Sequence, residues 1–216
     1  MRDFTVNRFR TARGRVLRRQ IDALAAHLGR PVTVLDLGGR ADYWDNVGYE
    51  NIARIRLLNN DESELDRQRS TDLFTEELGD ACDLKEFADK SVDLVHSNSV
   101  IEHVGHWPAM CAFADEARRV GVAGWIQTPA WEFPIEPHFR MPFLHWFGQP
   151  ARRAMLRMSK DYGTLGTRER RLHIDRINLL SRGEMTALFP DCGLFVERVL
   201  FPKSYTARWG PQGVLA

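Results

Sequence analysis

Polar residues that can hold a ligand follow the first apolar run of the sequence. The run Val32–Leu37 contains one acid, Asp36, and is followed at once by Gly38 and Gly39. Without Cβ atoms, the two glycines let the backbone turn sharply and bring main-chain N–H groups close to a ligand. The helix predicted to follow adds unpaired donors and partial positive charge at its N-terminus. This stretch therefore predicts a nucleotide or nucleoside site at the end of a strand.

A second group of chemically active residues lies in two histidine-containing runs. Glu102 and His103 follow a predicted strand, and Glu136 and His138 lie in a proline-rich segment. A histidine at a strand end can take a proton from an acceptor hydroxyl or amine, and His103 is the first candidate and His138 the second. The alternative for His103 is a structural role. His103 and His106 have the spacing of a metal pair, but without a third ligand nearby we predict no metal site.

The segment from residue 129 to residue 150 contributes the candidate substrate contacts. It contains five prolines, which exclude a regular helix or a central strand, and six aromatic residues, which bury much surface. If the segment covers the site, Trp131, Glu136 and His138 face the substrate. The alternative is a packed loop whose polar groups bond to the backbone.

Alternating strand and helix patterns predict the elements that position these residues. Apolar runs at 32–37, 52–58, 73–78, 91–100, 122–127, 194–201 and 204–208 read as strands, with helices between most of them. The order predicts an α/β fold: a doubly wound, Rossmann-like, mostly parallel seven-stranded sheet. Helices cover both of its faces, and its C-terminal edge is antiparallel.

Local signals refine this outline. A helix is predicted over residues 6–28, and Ser181 with Glu184 forms a capping box that starts a late helix. Asp83, with Glu86 three residues later, predicts a short helix after the third strand. The segment after the prolines is predicted as a helix near 150–160 and then a flexible polar stretch over 161–172.

Length and composition limit the classes of protein. The 216 residues predict a single domain over 1–216, with an N-terminal helix in 1–30 and an insertion at 129–172 that caps the substrate. A net charge of +1 gives no electrostatic case for a nucleic-acid partner. Three widely spaced cysteines favour a reducing cytoplasm over a disulfide framework. No apolar run approaches the roughly 20 residues of a membrane span.

Five motifs follow one another along the chain. They are Asp-Leu-Gly-Gly with Tyr-Trp, then Leu-Leu-Asn, Gly-Asp-Ala, Ser-Asn-Ser-Val-Ile-Glu-His-Val and Pro-Ile-Glu-Pro-His-Phe. In this order they resemble a class I S-adenosylmethionine (SAM) methyltransferase of a small bacterial methyltransferase-domain family. The resemblance runs from about Val32 to the C-terminus. It implies SAM as cofactor and methyl transfer to an O or N atom of a small-molecule or glycan-type acceptor.

The resemblance also implies ten cofactor-binding residues. They are Asp36, Gly38, Gly39, Tyr43, Trp44, Asn59, Asp80, Ala81, Asn98 and Ser99. Asp80 would accept from the adenine amino group, since Asp83 is the better candidate for capping a helix. Asn59 stands where the family usually has a ribose-binding acid, and an amide oxygen accepts fewer hydrogen bonds than a carboxylate.

Departures from the family pattern motivate other hypotheses. Arg40 and Asp42 stand where the family's turn usually has further glycines. A non-catalytic SAM-fold protein, acting as a binding or partner subunit, is therefore the alternative. A nicotinamide dehydrogenase would need a third glycine and an acid about 20 residues on. Asp61 is near that distance, but the glycine pattern does not support a dehydrogenase.

Overall fold

A computed structural model describes residues 4–65 and 71–215, with side chains from residue 9 onward. The helices are α1 (Phe4–Leu28), α2 (Ala41–Trp44), α3 (Trp107–Val120), α4 (Gln149–Met155), α5 (Thr167–Asp175) and α6 (Arg182–Leu188). The strands are β1 (Val32–Leu37), β2 (Ile52–Asn59), β3 (Phe74–Leu78), β4 (Val92–Asn98), β5 (Gly121–Pro129), β6 (Ile135–Glu136), β7 (Met141–Pro142), β8 (Gly193–Arg198) and β9 (Pro202–Trp209). None of the helices in these residues is long and apolar enough to cross a membrane.

Seven of the strands form one sheet in the order β3-β2-β1-β4-β5-β9-β8. Strands β1 to β5 are parallel, whereas β9 runs antiparallel to both of its neighbours. The predicted α/β fold with an antiparallel C-terminal edge is therefore confirmed. The strand order reverses between β1 and β4, and ligands bind at the carboxyl ends of the strands at such a switch point.

Apolar layers on both faces of the sheet explain why the central strands are continuously hydrophobic. On one face, Leu17 and Ile21 of α1 pack in the same cluster as Val34 of β1. On the other face, Phe113 of α3 packs in the same cluster as Leu35 of β1. Adjacent residues of one strand thus enter opposite layers, which leaves no face of β1 for polar residues. A buried polar residue in such a strand needs a specific partner.

The insertion folds around a small core of its own. Phe139, Leu144 and Leu156 are buried together with Ile174, which lies just beyond the insertion in α5, and β6 and β7 pair as a two-stranded hairpin. The predicted helix near 150–160 corresponds to α4 followed by a 3₁₀ turn at Leu156–Met158. The separate cluster explains how a segment rich in proline remains compact, because side-chain packing replaces the missing backbone ladder.

Two local predictions are wrong. Residues 83–90 form turns rather than a helix, because Arg119 of α3 donates to the Leu84 and Phe87 carbonyls, which an α-helix would use as acceptors. Part of the stretch predicted as flexible, 161–172, belongs to α5. That helix buries only Arg170 and Ile174, so its sequence lacks a broad apolar stripe.

The capping box at the start of α6 is confirmed, and it yields a stability prediction. Ser181 Oγ accepts from the Glu184 N–H, and Glu184 Oε2 accepts from the Ser181 N–H at 2.8 Å. Ser181→Ala should lower the free energy of unfolding by about 1 kcal/mol, since a helix N-terminal donor loses its acceptor. Urea denaturation measures this change. Glu184→Gln keeps an acceptor and should cost less; equal stability of Ser181→Ala and wild type would contradict the prediction.

Candidate functional site

The two glycines after β1 are required by the space around them. Gly38 has a φ of +70°, and a Cβ there would lie 2.6 Å from Val100 Cγ2. A Cβ on Gly39 would lie 1.9 Å from Asp36 Oδ2. The Gly38 N–H donates to the Leu58 carbonyl at 2.7 Å, which joins the turn to the end of β2. The backbone of the turn therefore lies directly on the Asp36 carboxylate, as only glycine permits.

Asp36 is the centre of a fully buried polar network. Its Oδ2 accepts from Trp44 Nε1 at 2.8 Å, and its Oδ1 lies 2.6 Å from Nδ1 of His96, its register partner on β4. Because the carboxylate only accepts, Nδ1 of His96 carries the hydrogen. The opposite nitrogen, Nε2, is buried and has no hydrogen-bond partner within residues 9–65 and 71–215. Trp44 is fully buried as well, so it supports the turn from beneath and has no surface for the direct cofactor contact that the sequence predicts.

Two cavities meet at Gly38 on the carboxyl edge of the sheet. The glycine-turn cavity, of about 220 Å³, is lined by residues that include Asp36, Gly38, Gly39, Tyr43, His96 and Asn98. The Asp80 cavity, of about 330 Å³, is lined by residues that include Gly38, Asn59, Asp80, Ala81, Cys82 and His103. The tertiary structure thus brings most of the residues predicted to bind a cofactor to one continuous edge.

Some of the predicted residues have structural tasks at this edge. Asn59 Nδ2 donates to the Gly39 carbonyl at 3.0 Å, which leaves its Oδ1 for a ligand. Asp80 Oδ1 accepts from the Cys82 N–H at 2.8 Å and so closes its own turn, although Asp80 also lines the cavity. Ser99 adopts a left-handed φ of 59° and donates its N–H to the Gln127 carbonyl. The two hydrogen bonds from Ser99 to Gln127 hold this strained conformation at the tip of β4, beside Asn98.

Arg40, the departure from the usual glycine turn, points outward. Its side chain is exposed, and Nη1 lies 3.1 Å from Glu64 Oε2. Nε lies 3.7 Å from Asp42 Oδ1. Arg40 and Asp42 also line the glycine-turn cavity, with exposed side chains that pair with each other and with Glu64.

Four residues form a contiguous histidine–glutamate cluster: Glu102, His103, Glu136 and His138. His103 Nε2 lies 3.1 Å from His138 Nε2, and His138 Nδ1 lies 2.7 Å from Glu136 Oε1. Glu136 also accepts from the Phe139 N–H through Oε2 at 2.5 Å. Glu102 is completely buried, and Thr128 donates to its Oε2 at 2.9 Å. Its Oε1 has no hydrogen-bond partner among the described residues and lies 3.9 Å from His138 Nε2.

The pKa values of the cluster's side chains are shifted in different directions. Burial raises the pKa of Glu102 to about 7, against weaker opposing contributions from its hydrogen bonds and from His138. Burial also lowers the pKa of His103, and the charge of His138 lowers it further. For His138, burial lowers the pKa, but the hydrogen bond to Glu136 and the charges of Glu136 and Glu102 outweigh this effect and raise it. His138 is therefore the more basic of the two histidines.

A third cavity, the aromatic cavity, lies on the other side of this cluster. Its volume is about 250 Å³, and its lining includes Trp107, Trp131, Glu136, Phe139, His145 and Arg152. His145 Nε2 donates to the Trp131 carbonyl at 2.8 Å, so Nδ1 can act as an acceptor; it is buried and has no hydrogen-bond partner in the part of the chain that the structure describes. His103 lines the Asp80 cavity and Glu136 lines the aromatic cavity. His138 connects them.

Sequence reasoning missed several residues of these cavities. His96 lies within a buried apolar strand, and only its pairing with Asp36 distinguishes it from a core residue. Cys82, His145 and Arg152 occur in no recognisable motif. Glu102 belongs to a motif that the sequence does identify, but its burial and its unpartnered oxygen depend on Thr128 and on the insertion.

Comparisons with known proteins agree with this geometry. Residues 26–124 match the family described as a methyltransferase domain. An O-methyltransferase family protein from Burkholderia thailandensis has 15% identity and a TM-score of 0.55, with 94% of this chain and 59% of that chain covered. An arsenic(III) SAM methyltransferase from Chlamydomonas reinhardtii has 18% identity and a TM-score of 0.50, with 85% and 65% covered.

A third structure, the N-terminal domain of EvdMO1 with S-adenosylhomocysteine (SAH) bound, has 12% identity and a TM-score of 0.56, with 94% and 81% covered. No curated protein matches the chain. At these identities the solved structures support the fold. The family match over residues 26–124 confirms the resemblance predicted from the sequence.

The reactivity of the Cys82 thiol reports how well this edge of the sheet is shielded from solvent. Burial, together with the charge and hydrogen bond of Asp80, raises the pKa of its thiol to about 11. At pH 8 its thiolate fraction should be roughly 100-fold lower than that of an ordinary cysteine. Iodoacetamide should therefore modify Cys82 slowly in the folded protein and quickly in urea, as followed by peptide mass spectrometry. Equal rates in both states would contradict this environment.

Proposed function

We infer, from the methyltransferase-domain match and the shared fold, that this chain is a SAM-dependent methyltransferase acting on an O or N atom of a small-molecule or glycan-type acceptor. The observation that carries this proposal is the position of the histidine–glutamate cluster. It lies between the cavities at Gly38 and the aromatic cavity, where a methyl donor and an acceptor would meet. We also propose a cytoplasmic location and a single domain.

The two cavities that meet at Gly38 suit the two ends of SAM. The methionine part would lie in the glycine-turn cavity, against Gly38, Gly39 and Asn98. The ribose and adenine would lie in the Asp80 cavity, where the free Oδ1 of Asn59 can accept from one hydroxyl. A Cβ at position 38 would clash with Val100 and one at position 39 with Asp36, so only glycine lets the turn backbone keep its place beside the cavity. Bound there, SAM supplies an electrophilic sulfonium methyl.

The aromatic cavity suits the acceptor. Trp131 offers an exposed ring face, and Glu136, together with the free Nδ1 of His145, offers acceptors for hydroxyl or amine hydrogens. Such a mixture of aromatic surface and a few convergent polar groups is typical of small-molecule sites. We therefore propose Trp131, Glu136 and His138 as substrate contacts.

The chain's main contribution to the reaction is alignment. Holding the acceptor nucleophile in line with the methyl and its leaving sulfur can supply about 7–11 kcal/mol of the barrier. The acceptor must also lose a proton. Of the two histidines by themselves, His138 is the better proton acceptor, because Glu136 holds its Nδ1–H and turns Nε2 towards His103. His103 is the second candidate.

The hypothesis of a non-catalytic partner subunit depended on Arg40, Asp42 and Asn59. The outward direction of Arg40 removes the steric reason for it. Asn59 supports the glycine turn and keeps one free acceptor. Arg40 and Asp42 both line the glycine-turn cavity with exposed side chains that pair with each other rather than fill it, so we retain the enzymatic hypothesis.

Cofactor binding is the first test. SAM and SAH should both release measurable heat in calorimetry and raise the melting temperature. Asn59→Asp should weaken SAH binding by roughly tenfold rather than improve it, because the carboxylate loses the hydrogen bond to the Gly39 carbonyl and repels it.

Asn51→Asp is the matched control, since Asn51 is exposed and lies at the opposite end of β2. It should leave SAH affinity unchanged. Absence of both heat and thermal stabilisation at millimolar SAM and SAH in the wild type would exclude the enzymatic hypothesis.

Activation of the acceptor is the second test. His138→Gln should keep SAM binding but slow methyl transfer by about 10²–10⁴-fold, because activation at the histidine pair is lost. The measurement is transfer of isotope-labelled methyl from SAM into small-molecule and glycan fractions of a cell extract. His27→Gln, at an exposed position in α1, serves as control. Unchanged turnover in His138→Gln would remove this histidine from the reaction.

A further inference from the structure

We propose that Glu102, His103 and His138 form a binding site for a divalent first-row transition-metal ion, with Zn²⁺ the best match to the donor set. The role of the ion in methyl transfer rests on the proposed function, because the site lies where the acceptor would bind. The binding of the ion itself is argued from the three side chains and their surroundings.

The donor atoms already have suitable spacing. The three ligand atoms lie within 4.8 Å of one another. His103 Nε2 and His138 Nε2 are 3.1 Å apart, and His138 Nε2 and Glu102 Oε1 are 3.9 Å apart. Ligands about 2.0–2.2 Å from a tetrahedral zinc ion are roughly 3.3–3.6 Å from one another. Small side-chain rotations would therefore bring all three onto one ion.

The unpartnered oxygen of Glu102 is an independent sign of a missing positive charge. Glu102 is completely buried, and its Oε1 has no hydrogen-bond donor among the described residues. Thr128 satisfies only the other oxygen. A buried carboxylate oxygen without a partner is costly, and a cation coordinated to it removes the cost. His138 Nε2 faces the same oxygen, so an ion between them would contact both.

The tautomers of the two histidines also favour a cation between them. Glu136 accepts from Nδ1–H of His138, so the neutral ring presents the Nε2 lone pair. The His103 ring also bonds the backbone of Arg176, and since its Nε2 faces His138 we assign this bond to Nδ1. Two neutral rings held in this way point lone pairs at each other. Either a shared proton or a metal ion relieves the repulsion.

Glu136 is placed like the carboxylate that, in many metal sites, accepts a hydrogen bond from a ligating histidine. It accepts from the far nitrogen of a ligating histidine, which fixes the ring and makes Nε2 a stronger donor. Glu136 is itself held by the Phe139 N–H. Two imidazoles and one carboxylate leave open coordination positions, and the exposure of His103 leaves the site accessible.

An ion at this point would change the task of the histidines. A hydroxyl acceptor bound to Zn²⁺ has a lowered pKa and releases its proton to solvent more readily. Methyl transfer would then form the new O–CH₃ bond as the S–CH₃ bond of SAM breaks. His103 and His138 would serve as ligands, and no side chain would need to take the proton.

Titration of chelator-dialysed protein with Co²⁺ and Zn²⁺ tests the proposal. Visible absorption of bound Co²⁺ and calorimetry with Zn²⁺ should show one equivalent bound to the wild type. Glu102→Gln, His103→Gln and His138→Gln should each weaken binding by at least about tenfold, and Glu136→Gln by about 10–100-fold. His27→Gln and His106→Gln, both at exposed histidines outside the cluster, should bind like the wild type.

Calorimetry with SAH on the same proteins shows that each variant is folded and separates the two proposals. Loss of Co²⁺ binding in the Glu102, His103 and His138 variants, with SAH binding retained, supports the metal site. Failure of the wild type to bind either ion, or equal binding by the three ligand variants, would overturn it. Metal binding without SAH binding would instead overturn the proposed function and leave the metal site intact.

Discussion

The buried carboxylate of Asp36 is the interaction on which the site depends. It sits at the end of the central strand β1 and is shared by Trp44 from α2 and His96 from β4. Burial of a charge in this position requires that both oxygens have donors, and these donors come from two different elements. The same carboxylate leaves no room for a Cβ on Gly39. One acid thus connects the sheet, the turn and the following helix.

The histidine–glutamate cluster lies where this edge of the sheet meets the insertion. His103 belongs to the sheet side, just after β4, whereas Glu136 and His138 come from the insertion. The insertion has its own small core around Phe139, so it can hold Glu136 and His138 in place without being part of the sheet. This division is typical of α/β enzymes, in which a common sheet binds the cofactor and variable segments shape the acceptor pocket.

Much of the fold could be predicted because local patterns report it. Continuous apolar runs indicated the buried parallel strands, and the capping box at Ser181 located a helix start correctly. The two failures also have identifiable causes. After Asp83, Arg119 from α3 donates to the Leu84 and Phe87 carbonyls that a helix would use. In 161–172, the sequence of a helix that buries only a narrow strip resembles that of a polar loop.

By itself, the sequence determined the strand–turn–helix unit, the order of the elements and the family resemblance, because each depends on residues close together in the chain. Only the tertiary structure decided which side chains meet. The pairing of His103 with His138 joins residues 35 positions apart, and the unpartnered oxygen of Glu102 arises from burial. No periodicity encodes such contacts. Register between strands and packing of the insertion set them, and both are properties of the whole fold.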